Sequence, residues 1–340
     1  MKKWKSVCIL GIASLLVLAG CKANATKETT TTKDNVEHYP IKIENFTSSD
    51  SAKKWQKKEV TFEASPHRVV ANTQGTAEML LHLGLESKIV GVAALYGGVD
   101  STVKKEFESL PVLSKEYVGK ELVLGATPDL VIGRAGLFAN EDWGVGTVSS
   151  LNDAGVQTYV QRTSIPKATY TDLYLDIKDL GKVFNIEKKA ASWIKELKQK
   201  EQSLKQSVES VKKEKSYAYI WGVDGENVTI YSGADDTYIT DTLSKIKLSN
   251  AFAKSTGEIT KESLVAKNPD VLLIPYYDGG SNNQQTLTAL YSNKALQTVN
   301  AIKNQQVFFI DYNEFWSYGY RILEGTEKLA KEIYPEQFKN

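Results

Sequence analysis

The chain has 340 residues, with 42 Lys and Arg against 41 Asp and Glu and a formal net charge of +1. That balance excludes the basic excess of a nucleic-acid-binding protein, and a chain of this length can bury a sizeable core. The only cysteines, Cys8 and Cys21, exclude a disulfide framework once the first is read as part of a leader.

Lys2, Lys3 and Lys5 precede an apolar run from Val7 to Ala19. The run is too short to span a bilayer comfortably and has the make-up of a secretory leader. It closes on Leu18-Ala19-Gly20-Cys21, which resembles the lipobox of bacterial lipoproteins, whose cysteine is acylated and becomes the mature N-terminus. On that reading residues 1–20 are a signal peptide and Cys21 is a lipid anchor; the alternative is an ordinary secretory signal cut near Cys21. From Ala23 to Lys33 the chain is rich in Thr and Lys and carries nothing apolar larger than Ala. Such a stretch cannot offset its chain entropy by burial, so residues 21–36 are expected to be a flexible tether.

Beyond residue 36, short β-branched or aromatic runs predict strands at 68–71, 89–93, 130–133, 158–161, 217–221, 271–275 and 307–311. Helical patterns lie between them at 75–83, 120–126, 146–154, 171–184, 187–213, 236–247, 261–267, 286–299 and 318–332. Alternation of this kind predicts α/β units with largely parallel sheets. The two adjacent helical stretches break the rhythm, and in the second Ile194, Leu197, Leu204, Val208 and Val211 form one amphipathic stripe. We therefore expect an α/β lobe over 37–167, a helical connector over 168–213 and a second α/β lobe over 214–340.

A repeat supports two lobes. Residues 120–132 read KELVLGATPDLVI and residues 261–274 read KESLVAKNPDVLLI. Each has Lys-Glu, a short apolar helix, Pro-Asp and a buried strand, with the proline ending the helix and starting extended chain. Glu121 and Glu262 occupy matched places in the two copies.

The lipobox, the two lobes with a helical connector and the paired Glu…Pro-Asp units resemble the siderophore- and cobalamin-binding proteins of ABC importers. Pro66–Ala71, the Ala77–Gly84 helix closed by a glycine, and Phe309-Ile310-Asp311 followed by Trp316 match that family in order and spacing. The resemblance runs from about Tyr39 to the C-terminus. It implies two Rossmann-like lobes, a rigid helical connector and a ligand cleft between the lobes. It also implies a monomeric protein anchored by lipid to the extracytoplasmic face of the cell membrane, that of a Gram-positive cell surface. Its partners would be a ferric siderophore and the permease subunits of an ABC transporter, with Glu121 and Glu262 docking on the permease. Glu78 is the competing docking residue in the first lobe. No intrinsic cofactor is expected, and iron would be carried within the siderophore rather than bound directly.

Loops at strand ends would line that cleft, as in open α/β sheets generally. They supply the candidate ligand residues Tyr96, Arg134, Trp143, Trp221, Tyr231, Tyr276, Trp316 and Tyr318, with Phe138, Tyr277 and Phe315 beside them. Arginine occurs only at Arg68, Arg134, Arg162 and Arg321. A multiply charged carboxylate siderophore needs clustered guanidinium groups, so a neutral hydroxamate complex held by aromatics and Arg134, with Arg162 a candidate second cation, fits better; a catecholate stays open. Haem is the runner-up: Met79, His38, His67 and His82 lie outside the chosen loops, and Tyr276 or Tyr277 remain as phenolate ligands. Cobalamin also stays open. From other classes, an enzyme is not expected, since no GxSxG, HExxH or Walker-type loop occurs. A surface adhesin would need repeats or a large exposed patch.

Overall fold

The computed structural model describes residues 38–48, 54–277 and 283–339. The expected leader, Cys21 and the tether to residue 36 lie outside the described residues. Among the described residues no helix is long and apolar enough to cross a membrane.

The buried runs Val69–Ala71 (β3), Ile89–Val92 (β4), Leu130–Gly133 (β5) and Gln157–Val160 (β6) form a parallel sheet in the order β4-β3-β5-β6. Before them, Ile41–Thr47 (β1) and Gln56–Phe62 (β2) pair as an antiparallel hairpin. The second lobe holds Lys215–Asp224 (β7), Asn227–Tyr231 (β8), Leu248–Asn250 (β9), Val271–Tyr276 (β10) and Val307–Asp311 (β11). Its parallel strands run β9-β7-β10-β11, and β8 turns back antiparallel along the far end of β7. Taken in chain order, both parallel sheets therefore run second, first, third, fourth.

The repeat read from the sequence is a repeat of hydrogen bonds. Asp129 accepts from the N–H groups of His67 and Arg68, and its own N–H donates to the Arg68 carbonyl, which locks β5 beside β3. Asp270 accepts from the Ser216 N–H and hydroxyl and donates its N–H to the Ser216 carbonyl, which locks β10 beside β7. Each Pro-Asp thus fixes the register of a central strand pair.

The helices Tyr170–Val183 and Glu187–Ser207 follow the first lobe. A capping box of Thr169 and Asp172 starts the first, and Asn185 at φ +54° turns the chain between them. Gly181 sits where a Cβ would lie 2.7 Å from that of Ala190, so the pair packs closely. The second ends at Ser207 rather than continuing to 213, and buries Ala190, Trp193, Leu197 and Leu204. At 21 residues it spans about 31 Å.

One continuous core runs through both lobes on this side of the molecule. It joins Leu80, Leu130 and Tyr159 of the first lobe to Leu180 and Leu197 of the helix pair. It then continues into Tyr217, Leu273 and Phe315 of the second lobe and Leu329 of the C-terminal helix Ile322–Ile333. Interiors packed in this way deform little, so the lobes are tied together along this side.

The strands expected from the sequence do not include the hairpin of β1 and β2. Its buried face carries Asn45, whose amide donates to the Val160 carbonyl (3.1 Å) and accepts from the Val160 N–H (2.8 Å). A side chain thus covers the open edge of β6, as exposed sheet edges require. The helix expected over 318–332 begins at Ile322 instead, because Tyr318 takes a left-handed φ of +54°. That conformation is costly for a bulky residue. Two bonds oppose the cost: Thr163 Oγ1 donates to the Tyr318 carbonyl (2.7 Å), and the Tyr318 hydroxyl donates to Asp236 (2.6 Å).

Candidate functional site

The open edge between the lobes faces the C-terminal ends of the parallel strands. Arg134 is the first residue after β5, and Asn72 the first after β3. The Asn72 carboxamide clamps the Arg134 peptide, accepting from its N–H at 2.8 Å and donating to its carbonyl at 3.1 Å. Gly133 makes this possible: its φ is +149°, and a Cβ there would fall 1.7 Å from Asn72 Oδ1.

The Arg134 guanidinium is aimed at the second lobe. Its Nη1 donates to the Tyr312 hydroxyl (3.2 Å), and its Cζ lies 5.1 Å from the Tyr318 ring centroid, a cation–π arrangement. Arginine ion pairs among the described residues fall on Arg162 and Arg321, not on Arg134. Burial works against its charge, but the phenols of Tyr318, Tyr312 and Tyr117 and the bond to Tyr312 hold the proton more tightly than usual. The group is a permanent cation without a carboxylate partner among the described residues.

Aromatic rings surround it. Tyr312 stacks on Trp316 at 5.6 Å and 13°, and Trp221 stands edge-on to Trp316 at 5.1 Å and lies 4.8 Å from Tyr231. From the first lobe, Tyr96 lies 5.9 Å from Tyr312 and 6.2 Å from Tyr277, and the Tyr117 and Tyr312 hydroxyls are 3.2 Å apart. Beneath, Asp236 accepts from Trp316 Nε1 (3.0 Å) and from the Tyr318 hydroxyl. Burial pushes the phenols of Tyr117, Tyr96 and Tyr231 up from their ordinary range, so these three stay protonated at neutral pH. They present neutral hydroxyls to the space between the lobes.

The space divides in two. A groove of about 330 Å³ is lined by Arg134, Trp221, Thr229, Tyr231, Tyr312 and Trp316, at the lower end of small-molecule pockets. Beside it, between Tyr96, Tyr117 and Tyr312, only about 10 Å³ remains. The interlobe phenols of Tyr117 and Tyr312 meet there.

Of the residues singled out from sequence, Arg134, Trp221, Tyr231 and Trp316 line the groove, and Tyr96 lines the small space beside it. Trp316 is nearly covered, at 2% exposure. Tyr318 lies under Arg134 and supports it. Tyr277 joins the ring cluster, whereas Tyr276 and Trp143 line neither space. Phe138 and Phe315 are core. Arg162 is turned away, bound to Asp179 (2.7 Å) and to the Glu44 carbonyl. Glu78, the competing docking residue, is fully buried. Sequence reasoning missed Tyr117, Tyr312 and the two polar supports Asn72 and Asp236. Tyr312 directly follows β11, so the strand-end rule itself includes it.

Glu121 and Glu262 are exposed, each the second residue of its short helix, Lys120–Gly125 and Lys261–Lys267. The Glu262 carboxyl is held below the usual range by its own backbone N–H and the Thr260 hydroxyl.

Comparison with known proteins agrees with this architecture. The profile of a periplasmic binding protein family matches residues 69–314. A curated relative is 25% identical over 342 residues and covers 100% of both chains; it is named as the uncharacterized ABC transporter substrate-binding lipoprotein YvrC of Bacillus subtilis (strain 168). Among solved structures, a periplasmic binding protein from Veillonella parvula superposes with a TM-score of 0.75 at 21% identity, over 87% of this chain and 99% of that one. A protein described as an ABC-type Fe3+-hydroxamate transport system from Saccharomonospora viridis gives 0.68 at 20% identity, over 87% and 100%. The haem-binding HutB of Vibrio cholerae gives 0.61 at 20% identity, over 79% and 99%. At these identities the solved structures establish the fold, and the ligand has to be argued from the site.

Proposed function

Because this chain belongs to the periplasmic binding protein family, whose members bind substrates for transport rather than catalyse reactions, we propose that it captures a ferric siderophore of the hydroxamate type outside the cell and delivers it to an ABC importer. The observation that carries the ligand class is Arg134: a single guanidinium with no carboxylate partner among the described residues, facing a groove walled by Trp221, Tyr231, Tyr312 and Trp316. One fixed cation suits the carbonyl and N–O oxygens of a neutral hydroxamate chelate, and the rings suit its apolar spacers. A citrate-like complex with several free carboxylates would leave most of its charge unmatched. Leu18-Ala19-Gly20-Cys21 and the lipoprotein relative support lipid attachment through Cys21 on the extracytoplasmic face of the membrane. The matched exposures of Glu121 and Glu262 support their role in permease docking, one on each lobe, for a protein acting as a monomer.

Titration of the mature protein by tryptophan fluorescence tests the ligand class, because Trp221 and Trp316 report directly on the groove. Ferrioxamine is expected to quench strongly, with ferric catecholates, ferric citrate, haemin and cobalamin weaker. Strong quenching by haemin alone would overturn the assignment. Arg134→Ala should weaken binding roughly 10- to 100-fold, the loss expected for a charge-assisted hydrogen bond. Arg134→Lys should restore part of it, since a point charge replaces a planar fork. Gly133→Ala should weaken binding comparably without touching the ligand, by evicting Asn72 from its clamp on Arg134.

A further inference from the structure

Lysine supplies nearly all the positive charge of this chain, and on the adjacent helices Tyr170–Val183 and Glu187–Ser207 it gathers on one side. Around the second helix Lys188, Lys195, Lys198 and Lys205 fall within about 100° of one another. They point away from the buried Ala190, Trp193, Leu197 and Leu204. On the first helix Lys178 and Lys182 follow Leu175 by three and seven residues, so the three share a face. Leu175 is an apolar side chain left 46% exposed. The two faces make one surface. Gly181 packs against Ala190, the Tyr174 hydroxyl donates to Glu201 (2.7 Å), and Lys198 Nζ lies 5.2 Å from the Tyr174 ring centroid. Both helices bury their opposite sides in the same core.

The acids of these helices are engaged elsewhere. Asp172 caps its helix, Asp176 accepts from Tyr159, and Asp179 pairs with Arg162. Glu187 faces His38, Glu201 holds Tyr174, Lys205 and Lys245, and Glu196 lines a hollow against the C-terminal helix Ile322–Ile333. In that C-terminal helix Lys328 and Lys331 each pair with the glutamate four residues before, the alternation of charge usual on a solvated helix. Lys178, Lys182, Lys188, Lys195 and Lys198 have no such partner among the described residues. Without Lys2, Lys3 and Lys5 of the leader the chain is slightly acidic, so this surface is a local concentration of charge.

Its place in the fold selects the polyanion. The first described residues are fixed at the turn between the two helices: His38 Nε2 lies 2.7 Å from the Lys182 carbonyl, and the Tyr39 hydroxyl donates to that of Val183. Cys21 precedes His38 by seventeen residues, at most about 60 Å of chain. A bilayer that holds Cys21 is therefore within reach of this surface, and it offers Leu175 an apolar phase to enter.

We propose that Lys178, Lys182, Lys188, Lys195, Lys198 and Lys205, with Leu175, rest on the anionic phospholipid headgroups of the membrane that carries the anchor. The contact orients the tethered body on the bilayer. It shares no residue with the groove of Arg134 and Trp221, so it leaves ligand capture free. The proposal takes lipid attachment at Cys21 from the reading above and does not depend on the ligand class.

The mature chain carrying Cys21→Ser, which cannot be acylated, is floated with vesicles of phosphatidylcholine and phosphatidylglycerol in a two-to-one ratio, and with phosphatidylcholine alone. Binding is expected only to the anionic vesicles and should be lost at high salt. Each lysine near such a surface contributes about fivefold. Lys188→Glu, Lys195→Glu and Lys198→Glu together should thus lower partitioning at least roughly 100-fold, and Leu175→Ser should lower it severalfold. The same charge change at the exposed Lys105, Lys254 and Lys303 should leave partitioning nearly unchanged, and the urea midpoints of both triple variants should match the parent. No binding to anionic vesicles, or equal loss in the two triple variants, would overturn the proposal. Binding to soluble polyphosphate as tight as to vesicles, with Leu175→Ser silent, would reassign the face to a soluble phosphate polymer and overturn the membrane contact. Palmitate labelling that disappears in Cys21→Ser tests the anchor separately, so failure of the anchor and failure of this face are read in different assays.

Discussion

Cells carrying Glu121→Ala together with Glu262→Ala are expected to lose import by at least roughly 100-fold, while the purified variant binds ligand as tightly as the wild type. Both carboxylates are exposed and lie on helices outside the groove, so neither has a ligand contact to lose. Charges at an interface set encounter rate and register more than raw affinity, so losing both leaves the protein unable to find and orient itself on its partner. The single variants should each show part of the defect, because one remaining contact still recruits the protein but no longer fixes its orientation. Import by cells, read beside ligand titration of the purified variants, decides the matter. Reduced ligand affinity in the double variant would mean that the helix starts support the groove rather than dock.

On the proposed docking, the separation of the two glutamates is what a transporter would read, and the fold holds each glutamate in place on its lobe. Each lies at the second position of a helix followed by Pro-Asp, and each Pro-Asp is pinned to the neighbouring strand by the same set of backbone bonds. The lobes are joined in turn by a core that continues from Leu130 through Leu197 to Leu273. Ligand can bias the lobes only as far as it binds one arrangement better than another. A shared core of this extent limits that bias, since packed interiors deform little.

The plan of the molecule was legible because it rests on patterns of period two and 3.6 and on punctuation by proline. The paired Glu…Pro-Asp units mark the two sheets in the sequence itself. The hairpin of β1 and β2 was not legible, since its buried face is broken by Asn45, which serves the backbone of β6 instead of the apolar core. In the site, Arg134 and Trp221 could be read because they end strands. Tyr117 could not, because it belongs to a loop with no periodicity and is brought to Tyr312 only by the packing of one lobe against the other. Asp236 was hidden for a related reason: it holds the rings of Trp316 and Tyr318, some eighty residues away in the chain.

The same coupling between lobes yields the largest expected effect on stability. Arg321→Ala should destabilise the protein by about 3–5 kcal/mol at pH 8, the usual cost of leaving buried charge unpaired. Arg321 is nearly inaccessible and ties the C-terminal segment to the first lobe. Its Nη1 donates to the Gly98 carbonyl and lies 3.6 Å from Glu78 Oε2, and its Nη2 lies 3.1 Å from Glu314 Oε1. Glu314 keeps Lys328 at 2.5 Å when the arginine is removed, whereas Glu78 keeps only the Gln74 amide and the Asp100 N–H. Burial has already pushed the Glu78 carboxyl up to about 7 against the pull of Arg321. Between its unfolded value near 4.5 and that point the native state holds a proton that the unfolded chain has released. Stability from this group is therefore greatest below pH 4.5 and falls as pH rises toward 7, by about 3 kcal/mol in all. Asp176, raised to about 7 by its own burial, adds a fall of the same sign, while Asp100, depressed by His82, Thr102 and Tyr320, opposes it only as pH drops into the acid range. Without Arg321 the Glu78 carboxyl rises further and is neutral at pH 5. The penalty of Arg321→Ala should then shrink markedly between pH 8 and pH 5, and Glu78→Gln should flatten the pH dependence of the wild type. Urea unfolding of the four members of the Arg321→Ala and Glu78→Gln cycle at both pH values measures this. A penalty for Arg321→Ala that is unchanged by Glu78→Gln at both values would show that the arginine does not act through Glu78.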